Sequence, residues 1–132
     1  MAENKRSILI IDDNPSILRT MTRVLSREGY NLYSAQTGKE ASEKLSTKKF
    51  DVALIDVGLG ETLGTDLLPL MNKVAPSMLK IVFTGTPMSK DTLDEVNRGA
   101  DLLLLKPVKP ETLIVILKEK LKGKIINSSE MR

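Results

Sequence analysis

Residues 7–15 of this 132-residue chain are SILIIDDNP, and this stretch decides the fold. Its first part, 7–11, is nearly continuous in isoleucine and leucine, which is typical of a strand covered on both faces of a sheet. The acidic pair Asp12 and Asp13 follows, and the Asn-Pro pair after it is typical of a helix cap with proline at the first helical position. The stretch therefore predicts a buried strand, an acidic edge and a helix, in that order.

The same alternation continues along the rest of the chain. Further apolar runs predict strands at 31–35, 51–55, 79–83 and 102–105. Helical spacing and capping residues predict helices from Pro15 to the residues before Gly29, at 38–45 after Thr37, at 63–74, at 90–98 between Ser89 and Gly99, and from Pro110 onward. A regular alternation of this kind predicts one α/β domain: a doubly wound, five-stranded parallel sheet with right-handed connections and helices on both faces.

Composition is that of an ordinary globular domain, with 41% hydrophobic and 28% charged residues. No apolar run approaches the roughly 20 residues of a transmembrane span, so no membrane association is expected. The first residues lead straight into a strand without the basic and apolar regions of a signal peptide, and the chain has no cysteine. We therefore expect a cytoplasmic location.

The net charge of +3 raises the question of nucleic-acid binding. Residues 1–6 and residues 123–132 each carry a net charge of +1, which leaves only +1 for the rest of the chain. There are two phenylalanines, two tyrosines and no tryptophan, so few rings could stack on bases. Direct nucleic-acid binding is not expected.

Five polar residues each follow one of the apolar runs: Asp12, Asp13, Asp56, Thr84 and Lys106. Ligands of doubly wound sheets bind outside the carboxyl ends of the strands, where all five would lie. Crowded carboxylates repel one another unless they take up protons or hold a cation, and their hard oxygens suit Mg²⁺. A lysine and a hydroxyl could bind phosphoryl oxygens, and a carboxylate could act as the nucleophile to give an aspartyl-phosphate. Each residue alone could instead be a cap or a turn residue; it is their joint occurrence that predicts a site.

Four motifs carry a family resemblance: IIDDNP, ALIDVGLG with Gly64 eight residues after the aspartate, VFTGTP, and GADLLLLKP. Their order and spacing resemble those of a response-regulator receiver domain of two-component signalling, similar to the chemotaxis receiver, over about residues 7–122. The resemblance implies a flavodoxin-like strand order, 2-1-3-4-5. It also implies a receiver domain at 1–122, with 123–132 as a tail or linker stub.

The resemblance further implies a role for each matching residue. Asp56 would be the phosphoacceptor, and Thr84 and Lys106 would bind phosphoryl oxygens. The Mg²⁺ ligands would be Asp13 directly, Asp56 and the backbone carbonyl of Gly58, and Asp12 would be a ligand through water or an orienting acid. In such domains the bond between Lys106 and Pro107 is usually cis.

The implied function is a phosphoacceptor switch in a phosphorelay, with output through the last two helices. The chain has no histidine, so a histidine kinase or phosphotransfer protein would have to supply the phosphohistidine. Such a receiver assists its own phosphorylation and dephosphorylation but is not expected to turn over an external substrate. Gly58 and Thr86, both small, are expected to leave a path open for the hydrolytic water. The downstream target and the oligomeric state are not encoded in any of these motifs.

Two departures from the family pattern keep alternatives open. Leu103 stands where receivers have an aromatic residue that couples the site to the surface. Gly60 replaces the usual proline, which predicts a mobile loop around Glu61 and Thr62. A degenerate receiver acting as a phosphorylation-independent interaction module is therefore an alternative. An enzyme of similar fold is a third, although an aspartate-nucleophile phosphatase would show Asp-x-Asp and a flavin carrier a phosphate-cradling loop.

Overall fold

The computed structural model describes residues 5–60, 62–85 and 87–130, with 123–130 described as backbone alone. The strands are β1 (Ser7–Ile11), β2 (Asn31–Ala35), β3 (Val52–Asp56), β4 (Gly58–Leu59), β5 (Thr62–Leu63), β6 (Leu79–Thr84) and β7 (Leu102–Leu105). The helices are α1 (Pro15–Arg27), α2 (Gly38–Thr47), α3 (Leu68–Val74), α4 (Lys90–Gly99) and α5 (Pro110–Glu130), with a short 3₁₀ helix at Gly64–Leu67.

Five strands form one parallel sheet in the order β2-β1-β3-β6-β7. Without the two short strands β4 and β5, which pair only with each other, this order is 2-1-3-4-5. The expected doubly wound architecture is confirmed. In this order β1 and β3 lie at the centre of the sheet, and their carboxyl ends are adjacent.

The sheet buries a separate apolar layer on each face, because successive side chains of a strand point to opposite sides. Leu9, Ile55 and Val82 face the helices α2, α3 and α4. Ile10 and Ile81 face α1 and α5. Covering both faces explains why the strands are apolar at nearly every position rather than at alternate ones.

Three helices begin where capping residues predict that they do. The side chain of Asn14 accepts hydrogen bonds from the backbone nitrogens of Ser16 (2.9 Å) and Ile17 (3.3 Å). Thr37 caps α2 through the backbone nitrogen of Glu40 (3.0 Å), and Ser89 caps α4 through that of Thr92 (3.1 Å). These caps satisfy backbone donors that would otherwise lack partners at each helix start.

The region predicted as a helix at 63–74 folds differently. α3 begins only at Leu68, and Pro69 occupies its first turn, where the missing backbone N–H costs nothing. The residues before it form β5 and the 3₁₀ helix instead. The prediction was wrong about the start of this helix because the proline was treated as an interior residue.

At the other end of the chain, α5 continues to Glu130, so the backbone of 123–130 is helical. The limit of the domain at residue 122 stays a prediction. None of the helices within the described ranges has both the length and the apolar character needed to cross a membrane.

Thr65, in the 3₁₀ helix, is fully buried, and its hydroxyl has no hydrogen-bond partner among the described residues. A buried polar group without a partner keeps its desolvation cost uncompensated. We expect Thr65→Val, which keeps the shape and removes the hydroxyl, to raise the free energy of unfolding by about 1 kcal/mol. Urea denaturation followed by circular dichroism, with an unchanged m-value, measures the difference.

The matched control is Thr37→Val, which removes a hydroxyl that caps a helix. It should lower the free energy of unfolding by about 1 kcal/mol, the opposite sign. Destabilisation by Thr65→Val would contradict the account of this buried hydroxyl.

Candidate functional site

The acidic pair after β1 has one buried and one exposed member. Asp12 is only 5% exposed, and its backbone nitrogen donates a hydrogen bond to the carbonyl of Ala35 (3.0 Å). One oxygen of its carboxylate accepts a hydrogen bond from the backbone nitrogen of Asn14 (2.9 Å). Asp13 is exposed at the same edge. The turn into α1 therefore holds one carboxylate inside the edge of the sheet and the next one outside it.

Asp56 is the last residue of β3, and the segment after it folds back tightly. The backbone nitrogen of Val57 donates to the carbonyl of Phe83 (3.0 Å), and that of Gly64 donates to the carbonyl of Val57 (2.5 Å). A Cβ atom at Gly64 would overlap the carbonyl oxygen of Asp56. Only glycine allows this close approach, which explains why a glycine stands eight residues after the aspartate.

Thr84 and Lys106 lie at the ends of the next two strands. Thr84 is buried, and its carbonyl accepts a hydrogen bond from the backbone nitrogen of Lys106 (2.7 Å). The peptide bond between Lys106 and Pro107 is cis, as the resemblance implies. The ammonium of Lys106 lies 3.0 Å from Oδ1 of Asp56 and 3.6 Å from Oδ2 of Asp12.

The three aspartates at this edge form one acidic group. Asp12, Asp13 and Asp56 each offer a carboxylate oxygen, and these oxygens all lie within 4.8 Å of one another. Asp56 also lines a cavity of about 440 Å³ together with Gly58, Thr84 and Lys106. The structure therefore brings the three aspartates together and places Gly58, Thr84 and Lys106 around Asp56.

Burial and crowded charge change the proton affinities in this group. Burial raises the pKa of the Asp56 carboxyl above its ordinary value; the hydrogen bond from Lys106 opposes this rise, and the charges of Asp12 and Asp13 add to it. Burial alone would lower the pKa of Lys106, but its hydrogen bond to Asp56 and the charge of Asp12 raise it overall. Ionised Asp56 is thus costly in this position, and a positive charge nearby would reduce that cost.

The donor set fits a hard divalent cation. All three side chains offer carboxylate oxygens, the ligands that Mg²⁺ and Ca²⁺ prefer. Among the residues that the structure describes here, the ammonium of Lys106 pairs with two of these three carboxylates, so negative charge remains for a cation to neutralise. The shortage of positive charge and the raised pKa of Asp56 both indicate that a bound cation would stabilise the ionised carboxylates.

Sequence reasoning missed the hairpin that follows Asp56. β4 and β5 pair in antiparallel fashion, and Gly60 between them has a φ of 66°, a conformation that side chains disfavour. Gly60 could have indicated a tight turn between two strands, but we interpreted it only as replacing the proline usual in the family. The hairpin gives this loop backbone hydrogen bonding that the sequence did not predict. Leu63, which no motif had singled out, lines the same cavity as Asp56.

Two expectations fall partly outside the described residues. Thr86, expected beside the path of the hydrolytic water, lies outside them, and so does Glu61 in the loop expected to be mobile. Leu103, at the position of the usual aromatic residue, is partly buried and packs against the apolar layer that faces α2, α3 and α4.

Comparison with known proteins identifies the family that the sequence motifs resemble. The family model of the response regulator receiver domain matches residues 8–118. The alginate biosynthesis transcriptional regulatory protein AlgB of Pseudomonas aeruginosa is 34% identical over 112 residues, which are 85% of this chain and 25% of AlgB. The chain thus spans about a quarter of the length of this relative.

Solved structures of response regulators are also similar to this chain. A receiver domain protein from Methanospirillum hungatei is 36% identical, with a TM-score of 0.87, and the match covers 94% of this chain and 99% of that one. A response regulator from Burkholderia pseudomallei, solved with a phosphorylated aspartic acid, a calcium ion and citrate, is 28% identical, with a TM-score of 0.79 and coverage of 97% and 75%. Together with the site geometry and the matched family model, these similarities identify the chain as a member of the response regulator receiver domain family.

Proposed function

We propose that this receiver is the phosphoacceptor switch of a two-component phosphorelay and that Asp56 is the residue phosphorylated. The observation that carries the proposal is the meeting of three carboxylates with the ammonium of Lys106, which lies 3.0 Å from Asp56. Such a corner can accept a phosphoryl group and neutralise its charge. The phosphorylated aspartic acid in the similar protein from Burkholderia pseudomallei supports the proposal.

In the proposed reaction a carboxylate oxygen of Asp56 attacks the phosphorus of a phosphohistidine on the donor protein. A bond forms between this oxygen and phosphorus, and the phosphorus–nitrogen bond breaks with its electron pair remaining on the imidazole. The ammonium of Lys106 and the hydroxyl of Thr84, which line the cavity with Asp56, would each bind an oxygen of the transferred group. The transfer therefore needs positioned charges more than a general base.

Asp12, Asp13, Asp56 and the carbonyl of Gly58 would hold Mg²⁺ at this corner. When bound, Mg²⁺ would supply charge neutralisation for the carboxylates and for the phosphoryl oxygens. Asp12 is positioned by its hydrogen bond from the backbone of Asn14, and Asp13 by the same turn. The calcium ion in the Burkholderia pseudomallei structure supports a cation in the related protein.

The phosphodonor would be a histidine kinase or a phosphotransfer protein, because this chain contains no histidine. A second cavity of about 530 Å³, mostly apolar, also reaches Asp56 and Lys106 and is lined by Ser16, Ile17 and Thr20 of α1. An apolar recess beside the reacting carboxylate offers a contact surface for such a donor. The cytoplasm, where ATP phosphorylates such donors, is the proposed location.

The output would pass through α4 and α5 to a domain or partner outside the described chain. AlgB is a transcriptional regulator of about four times the matched length, so an attached output domain is one form that this target could take. The chain itself would signal rather than turn over an external substrate, and no direct contact with nucleic acid or membrane is proposed for it.

Leu103 favours a second candidate function, an interaction module that works without phosphorylation. Leucine fills space in the apolar layer but has neither a ring nor a hydroxyl with which to report the state of the site. The complete acidic group with Lys106 favours the switch instead. Phosphoryl uptake distinguishes the two candidates.

We expect incubation with acetyl phosphate and Mg²⁺ to add one phosphoryl group to the chain, measured as intact mass. Asp56→Asn should abolish the uptake, because the amide cannot form the acyl phosphate. The matched control is Asp66→Asn, at an exposed aspartate of the 3₁₀ helix, which should be phosphorylated as the unmodified chain is. An unmodified chain that takes up no phosphoryl group would contradict the switch and favour the interaction module.

Mg²⁺ should raise the melting temperature of the chain, because it binds the folded acidic group and reduces the repulsion within it. Asp13→Asn should remove most of this increase while raising the melting temperature in the absence of metal. Differential scanning calorimetry with EDTA and with Mg²⁺ measures both effects. The account fails if Asp13→Asn responds to Mg²⁺ as fully as Asp66→Asn, which keeps all three carboxylates.

A further inference from the structure

The hairpin after the phosphoacceptor presents two different faces. Gly58 pairs with Leu63, and Leu59 pairs with Thr62. Residues directly opposite in an antiparallel pair share a face, and successive residues alternate between faces. Leu59 is buried in the apolar layer against the helices, so Leu63 lies on the other face of the hairpin.

That face borders the reacting carboxylate. Leu63 lines the cavity of about 440 Å³ that also contains Asp56, Thr84 and Lys106. Its partner Gly58 has no side chain, so Leu63 supplies the bulk on this face of the pair. A phosphoryl group held by Thr84 and Lys106 would therefore have an apolar side chain beside it.

Leu63 is packed less closely than Leu59, the other leucine of the hairpin. Its side chain is 40% exposed, whereas Leu59 on the other strand is 5% exposed and anchors the hairpin. Leu63 belongs to neither of the two apolar layers of the sheet, so it contributes less to the core than Leu59 does. Because Leu63 lines the same cavity as Asp56, it can limit the access of water to that carboxylate.

We propose that Leu63 shields the phosphoryl group on Asp56 from water and so lengthens the lifetime of the phosphorylated state. This inference rests on the proposed function. In hydrolysis the oxygen of water bonds to phosphorus, and the bond from phosphorus to the Asp56 oxygen breaks with its electron pair staying on the carboxylate. Both protons of the water leave with dihydrogen phosphate. An apolar side chain in the cavity slows this step because it excludes water and offers it no hydrogen bond.

Leu63 would narrow the path for water that small residues near Asp56 are expected to leave open. That expectation rested on Gly58 and Thr86, and it took no account of a residue seven positions after the phosphoacceptor. The hairpin pairs Leu63 with Gly58, and a Cβ atom at Gly58 would have no atom within 4 Å, so Leu63 is the side chain that this pair presents on that face. The lifetime would then depend on Leu63 as well as on the two small residues.

The test compares rates of dephosphorylation in the full chain. Leu63→Ala and Leu63→Asn are phosphorylated with acetyl phosphate and Mg²⁺, the donor is removed, and the loss of the phosphoryl group is followed by intact mass. Both variants should lose it about fivefold faster or more than the unmodified chain. Leu63→Met, which keeps an apolar side chain of similar size, should restore the slow rate to within about twofold.

Leu93→Asn is the matched control, because this leucine of α4 is 39% exposed and lies outside the residues that line the cavity. It should dephosphorylate as the unmodified chain does. Its phosphorylation rate should also stay within about twofold of that of the unmodified chain. In urea, where the shield is unfolded, all of the chains should hydrolyse at one rate.

Lifetimes of Leu63→Ala and Leu63→Asn that match the unmodified chain would overturn the shield and leave the phosphoacceptor intact. Equal acceleration in Leu93→Asn would also overturn it. A failure of the unmodified chain to take up a phosphoryl group would overturn the proposed function, and the shield with it.

Discussion

The structure depends on an imbalance of charge at one corner of the sheet. Three carboxylates come within 4.8 Å of one another, and one ammonium, that of Lys106, contacts two of them. Ionised Asp56 is costly there, as the upward direction of its pKa indicates. A cation would relieve this cost, and a phosphoryl group would add negative charge again. Both would change the electrostatic energy of the corner, as the proposed switch requires.

The rest of the fold keeps this imbalance in place. β1 and β3 are central strands, buried on both faces, so the backbone that carries Asp12 and Asp56 is held by two apolar layers. Gly64 lets the following loop close against the carbonyl of Asp56, and the backbone of Lys106 is hydrogen-bonded to Thr84. Charges that repel one another can be held together in this way as long as the net free energy of folding of the rest of the domain offsets the repulsion.

Much of this arrangement could be predicted from the sequence, since the signals were local and strong. Continuous apolar runs predicted the strands, and Asn14, Thr37 and Ser89 marked the helix starts that the structure has. The strand order followed from the family resemblance and not from the pattern. The hairpin could not be predicted, because strands of two residues show no alternation. Leu63 therefore escaped notice: its place beside Asp56 is fixed by a pairing that only the folded chain reveals.

The proposed chemistry and the proposed output depend on different residues. The acidic group contains three carboxylates, whereas Leu103, at the position where receivers usually have an aromatic residue, packs in the apolar layer and has no ring. The central claim concerns the acidic group, and it can be tested most directly by titrating the ¹⁵N-labelled chain with Mg²⁺ and following the amide NMR shifts. The account predicts saturable shifts centred on Asp12, Asp13 and 56–58. Shifts that do not saturate, or that centre on another part of the chain, would contradict it.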